Sequence, residues 1–195
     1  MVELVRSHAE LLVARGKVLT LFDALTPRLT DSNSKVNLLA LQSLQQLIPR
    51  IREGMPPVTA TLLPALATSL ASSNPQVRSI SPAVLDTLLA EVEQSALIQP
   101  VVSCALYSPP KARPLMIDRL RLLSISLYPS KPQLVTKHAV PAAFRLAEDS
   151  RSELRQCTSL LLRALHTLLG EAFIDQVQRA PSTVQARVNE VLQLL

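Results

Sequence analysis

The side chains able to do chemistry in this chain are few and scattered. Its three histidines, His8, His138 and His166, stand alone. Its two cysteines, Cys104 and Cys157, have neither CxxC nor metal-ligand spacing. None of the motifs HExxH, GxSxG, Walker A or GxGxxG occurs. With three glycines in the whole sequence, a phosphate-cradling loop has little to be built from. His166 lies among Leu162, Leu165 and Leu169, the setting of a packed helix histidine rather than of a general base. The carboxylate pairs Glu91/Glu93 and Glu148/Asp149 fall at solvated helix ends. No group has a partner and a role, so no enzyme activity, cofactor or metal is expected. The cysteines read as reduced core residues of an intracellular protein.

What remains is charge. The formal net charge is +5, a balance that suits nucleic acid, an anionic membrane or an acidic protein. Aromatic residues make up 3 % and tryptophan is absent, which removes the platforms that stack single-stranded bases. There is no long Lys/Arg run, so nucleic acid is not the expected partner. Residues 54–77 carry no charge and have the length of a membrane span. Pro56, Pro57, Pro64 and Pro75 interrupt them, and a buried central helix is the expectation, with no membrane association. Glu3 and Glu10 break the N-terminal apolar segment, so no signal peptide is expected.

The elements that must position the cations follow from period and punctuation. Hydrophobic residues make up 48 % of the chain and prolines number fifteen, without the alternating β-branched runs of a sheet protein. The stretch Leu21–Ile51 sets the pattern. Leu21, Leu25 and Leu29 form one stripe and Leu41, Leu44, Leu47, Ile48 and Ile51 another. Between them Asp31-Ser32-Asn33-Ser34 supplies N-cap oxygens. Similar hairpins are expected at about 10–52, 56–93, 95–128, 132–170 and 171–194, with 1–9 as the remnant of an earlier unit.

Pro27, Pro64, Pro100 and Pro141 fall in the first helix of successive hairpins, 37, 36 and 41 residues apart. Pro27 and Pro82 are expected to bend their helices. Asn74 with Pro75 gives a strong start signal, Ser150-x-x-Glu153 reads as a capping box, and Gly170 as a helix stop. A period near ~40 with two helices per unit is that of HEAT and armadillo arrays, an all-α solenoid of stacked hairpins. The short last hairpin would cap it and favour a monomer.

In such an array the loops within hairpins align along one edge. Ser34 and Lys35, Gln76 and Arg78, Lys111 and Arg113, then Arg151 and Arg155 would bring at least one cation per unit to that edge. A ridge of spaced cations suits an extended acidic protein surface. A cation just after a loop can equally serve the fold, by pairing with an aspartate such as Asp31 or Asp149. Both readings stand at this level.

The segments LTDSNSKVNLLALQSLQQLIP and ISLYPSKPQLV resemble TOG domains, the tubulin-binding HEAT arrays, and within them the crescerin family of TOG-array regulators of axonemal microtubules, nearest to a C-terminal TOG domain. The resemblance covers nearly the whole chain. It implies that intra-repeat loops contact the tubulin heterodimer or the microtubule. By position it places Asn33, Ser34 and Lys35 in the second-repeat loop and Asn74, Gln76 and Arg78 in the third. Lys111 and Arg113 match the fourth, and Arg151 and Arg155 the fifth. It further implies a role in microtubule growth, in the cytoplasm, the cytoskeleton and the cilium, at the axoneme or basal body. A HEAT scaffold docking another ciliary or centrosomal protein is the alternative.

Overall fold

The computed structural model describes Val13 and residues 15–193. The expected remnant at 1–9, the start of the first hairpin and His8 lie outside the described residues. Among those described, all regular structure is helical. The chain divides into two compact units. One runs to Pro100 and includes Ser108–Ala112, and the other comprises Val101–Tyr107 and the chain from Arg113 onward.

The first unit begins with α1 (Val18–Leu25), which a 3-10 turn, Thr26–Thr30, continues. Pro27 therefore ends the α-helix rather than bending it. Proline has no N–H to donate and its ring crowds the carbonyl four residues back, so the chain tightens into a 3-10 turn. The buried face differs from the expected leucine stripe for the same reason. Val18, Phe22 and Leu29 are buried, whereas Leu21 and Leu25 are only half-buried. The carbonyls left open where that turn ends are satisfied by buried polar side chains. Asn37 Nδ2 donates to Leu29 O at 2.8 Å and to Arg28 O at 3.3 Å, and Ser69 Oγ donates to Leu29 O at 3.2 Å. These bonds tie the turn before the first loop to the two helices beside it, α2 (Ser34–Ile51) and α3 (Thr59–Leu70).

The α2 stripe is as expected: Leu41, Leu44, Leu47, Ile48 and Ile51 are all buried. Helix α4 (Pro75–Glu91) packs along α2 and against α3, giving one layer of second helices backed by a layer of first helices. Val77, Val84, Leu85, Leu88 and Val92 are buried there, with Ile80 and Leu89 half-buried. Pro64 and Pro82 sit inside continuous helices. The uncharged stretch at 54–77 resolves into short 3-10 turns, the twelve-residue α3 and the start of α4. No helix among the described residues is long and apolar enough to cross a membrane. At the α2–α3 junction a side chain on Gly54 would place its Cβ 2.7 Å from Val18 Cγ2, so that close approach requires glycine.

Helix α5 (Gln94–Tyr107) runs from the first unit into the second, with Pro100 at the last residue of the former. In the second unit α6 (Arg113–Leu127) and α8 (Ser152–Leu169) pack side by side, and α7 (Pro132–Ala147) lies against both. Met116, Ile117, Leu120, Leu123 and Leu127 are buried on α6, while Leu115 is only half-buried. On α8, Leu154, Leu161, Leu162 and Leu165 are buried. Gly170 ends α8 at φ +56°, the left-handed conformation that favours glycine, and its N–H donates to His166 O at 2.8 Å. The last hairpin, α9 (Glu171–Gln178) and α10 (Ser182–Gln193), then folds back on α7 and α8. Phe173 of α9 is fully buried, 5.8 Å from the Phe144 ring and 6.1 Å from that of His166. His166 is thus a half-buried packing residue, as its neighbours in sequence imply.

The expected capping box at Ser150 does not form. Arg151 occupies the N-cap position of α8 without a side-chain bond, and the turn is held instead by Asp149 Oδ1, which accepts the Arg151 N–H at 3.1 Å. Asp149 has a second partner in the preceding hairpin, described below, that a bond from Ser150 would not supply. Of the cysteines, Cys104 is buried and Cys157 half-buried, and neither forms a disulfide among the described residues. Burial pushes the Cys157 thiol up from its ordinary value.

Candidate protein-binding edge

The loop edge of the first unit is built by two asparagine caps. Asn33 sits in extended backbone just before α2, and its Oδ1 accepts the Lys35 N–H at 3.0 Å. Asp31 Oδ1 accepts the Asn33 N–H at 2.9 Å and fixes the loop ahead of it. Asn74 does the same for α4 with two bonds, from Gln76 N–H at 2.9 Å and Val77 N–H at 3.2 Å, with Pro75 at the first helical position. Capping uses the amide oxygen of each asparagine.

Each cap brings a cation with it. Lys35 is exposed, and its ammonium has no partner among the described residues. Arg78 is exposed and donates from one guanidinium nitrogen to the loop carbonyls of Ser72 at 2.6 Å and Ser73 at 3.3 Å. Those carbonyls fix its direction without neutralising its charge. Ser34 is half-buried at the first turn of α2 and Gln76 is exposed beside Arg78. Lys111 stands exposed on the turn closed by the Ala112 N–H to Pro109 O bond of 2.8 Å.

The second unit treats its cations differently. Arg113 is 5 % exposed and is no part of an open edge. Its Nε donates to Ala105 O at 3.2 Å, and its guanidinium pairs with Asp149 Oδ2 at 3.0 Å. It therefore ties the last turn of α5 to the loop before α8, the structural alternative for a cation after a loop. Arg151 embraces the same carboxylate through Nε and Nη2, both at 2.9 Å. The Arg151 bonds, joined by Arg113, hold the Asp149 carboxyl down at about 2. Arg155, one turn further along α8, is exposed and has no ion-pair partner among the described residues. Of the ten polar residues that sequence reasoning assigned to the edge, Arg113 is the one the fold buries.

Three features were beyond reach of the sequence. Asn37 and Ser69 resemble ordinary helix-surface residues until the broken turn at Pro27 supplies their acceptor. Asp149 is identifiable as a possible ion-pair partner, but not as the shared anion of two arginines. A cleft beside Arg155, bounded by α7, α8 and α10, depends on how the last hairpin folds back.

No family model matches the chain. Among solved structures it is similar to a TOG domain of crescerin, described as using a TOG domain array to regulate microtubules in the primary cilium. That likeness has a TM-score of 0.71 at 19 % identity over 90 % of this chain and 74 % of that one. It is also similar to the MAST/Orbit N-terminal domain, with a TM-score of 0.66 at 23 % identity over 95 % of this chain and 88 % of that one. The chain has the fold of a TOG domain. That fold is an all-α HEAT-repeat solenoid, the architecture expected from the ~40-residue period. In sequence the chain is similar to TOG array regulator of axonemal microtubules protein 1. Identity is 29 % over 196 residues with the Mus musculus protein and 28 % over 189 residues with the Homo sapiens protein. These alignments cover 95 % and 92 % of this chain, which spans 11 % of the length of either relative.

Proposed function

We propose that this TOG domain is a non-catalytic tubulin- or microtubule-binding domain of a ciliary, cytoskeletal protein that regulates microtubule growth. The observation that carries the proposal is the first unit's edge. There Lys35, Arg78 and Lys111 stand exposed on loops set by helix caps, with no carboxylate partner among the described residues. Cations held without counter-charges keep their field available for an acidic partner and raise its association rate. Asn33, Ser34, Asn74 and Gln76 add polar contacts beside them. Arg151 and Arg155 are the second unit's contributions, and Arg113 is left out as a buried tie. The similarity to relatives named as regulators of axonemal microtubules, and to a TOG domain described in the primary cilium, supports the assignment of partner and compartment. The whole chain acting as one monomeric TOG-like domain is part of this reading, supported by single TOG structures that match 90 % and 95 % of it.

The test is co-elution with purified tubulin on size exclusion, at low and moderate salt, of the wild type and a K35E/R78E/K111E variant. Co-elution by the wild type and its loss in the variant, with circular dichroism unchanged, is the expected result. Undiminished co-elution of the variant would refute the edge as the site.

A second reading, a HEAT scaffold docking another ciliary or centrosomal protein, draws on exposed apolar side chains away from the loops. Leu122 and Ile125 on α6 are 43 % and 40 % exposed, and Leu160 on α8 is 45 % exposed. Under this reading the loop variants are silent and substitutions on the helical faces abolish binding.

A further inference from the structure

A serine or threonine precedes proline at three places in this chain: Thr26-Pro27, Ser81-Pro82 and Ser108-Pro109. The fold closes two of them. Thr26 opens the 3-10 turn after α1, and its Oγ1 is buried. Ser81 lies inside α4, fully buried, and its hydroxyl donates to Val77 O at 2.6 Å. Ser108 stands in the loop between α5 and α6, outside any helix. It is half-buried, and exposed Pro110 and Lys111 follow it. Its hydroxyl makes no hydrogen bond among the described residues and, unlike that of Thr26, is not sealed from solvent.

The residues after Ser108 form a pattern that a second enzyme can read. Ser108-Pro109-Pro110-Lys111 places proline one position on and a cation three positions on. Proline enters an apolar pocket without an N–H left unsatisfied, and the cation suits an acidic subsite beyond it. Thr26 and Ser81 have apolar residues, Leu29 and Val84, in place of that cation. The two prolines also keep the segment out of helix, since each disfavours helical backbone in the residue before it. Within the loop, the Ala112 N–H to Pro109 O bond of 2.8 Å closes one turn. A segment held by so little opens readily along an enzyme's groove.

The charge on this loop is simple. Lys111 is the only charged residue from Ser108 to Ala112, and it is exposed. A phosphoserine carries a charge of about −1.5 to −2 at neutral pH. Placed three residues from Lys111, it supplies the counter-charge that the cation lacks and turns the loop from cationic to anionic.

We propose that Ser108 is a phosphorylation site for a proline-directed serine/threonine kinase, and that its phosphate weakens the basic edge of the first unit. In the transfer Ser108 Oγ attacks the γ-phosphorus of ATP. The new O–P bond forms as the bond from that phosphorus to ADP breaks, and the hydroxyl proton passes to the base of the kinase. The modification stands independently, whereas its effect on binding rests on the tubulin reading.

The experiment treats the full chain with ATP and a purified cyclin-dependent kinase, the probe for this class. Intact mass and peptide mapping read the phosphate. One phosphate on Ser108, none on Thr26 or Ser81, and none in Ser108→Ala is the expected result. Thermal melting confirms that the variant is folded. A wild type left unmodified at Ser108, or modified at Thr26 or Ser81 instead, would overturn the site. The labelled chain is then titrated with purified tubulin. Phosphorylation is expected to weaken binding about tenfold, phosphatase to restore it, and Ser108→Ala taken through the same kinase reaction to bind as the untreated wild type does. Equal affinity of the phosphorylated and untreated wild type would overturn the switch. An untreated wild type that does not bind tubulin would overturn the tubulin reading and the switch with it, while the mapped phosphate still decides the site.

Discussion

The two units present cations near their loops by the same sequence rule and put them to opposite uses. In the first, Lys35 and Arg78 follow capping asparagines, and the caps consume no charge. In the second, the turn into α8 is made by an aspartate, and two arginines gather on it. An asparagine cap holds a helix end with a neutral oxygen, so the neighbouring cation remains available to a partner. In the second unit Asp149 accepts the N–H of the N-cap residue, as Asp31 does in the first, and the cap residue itself is a cation. With asparagine in the cap position Lys35 and Arg78 remain contacts, whereas Arg151 and Arg113 become ties through Asp149.

That comparison breaks most visibly at Arg113. Replacing it with alanine leaves the Ala105 carbonyl and one side of Asp149 unpaired in a buried setting. The expected loss is about 2–4 kcal/mol in urea unfolding. Lys35→Ala, the same distance past a loop but exposed, is expected to change stability by no more than about 0.5 kcal/mol. Equal effects at the two sites would remove the distinction between contact and tie.

Acid separates the units next. The Asp149 carboxyl sits at about 2, below its ordinary value of 3.8, so the folded state binds its proton less readily than the unfolded chain. Its contribution is fully present above about pH 5 and is lost as pH falls through 4 toward 2. Because Arg151 is half exposed to water, the contribution is expected to be about 1–2 kcal/mol. It is read as the difference between wild type and Asp149→Asn in melting temperature across that range. A gap between the two that does not narrow toward pH 2 would contradict the pairing.

The caps give the smaller contrast. Asn74→Ala, which removes two bonds to the first turn of α4, is expected to cost about 1 kcal/mol. Ser150→Ala is expected to cost less than about 0.5 kcal/mol, since the structure gives that residue no capping role. A full cap's worth of loss at Ser150 would restore the capping box.

Much of this was legible from local pattern, because local pattern is where its physics lies. The second-helix stripes, the caps at Asn33 and Asn74 and the stop at Gly170 each depend on residues within a turn of one another. Hydrophobic period and capping chemistry specify such features without reference to the rest of the chain. The ~40-residue spacing of prolines likewise specifies a stacked array, since one hairpin cannot bury its own stripe.

Tertiary structure decided everything that depends on a distant neighbour. Pro27 ends α1 in a turn whose end carbonyls are satisfied from α2 and α3, so the buried face there is Val18, Phe22 and Leu29 instead of a leucine row. Arg113 is buried because Asp149, 36 residues away in sequence, comes within 3.0 Å of its guanidinium. Thr158 is an ordinary helical threonine until α10 closes a cleft over it. Sequence spacing determines which face of a helix a side chain occupies. Whether that side chain meets water, a counter-charge or an empty cleft is set by burial and by the charge of what packs against it.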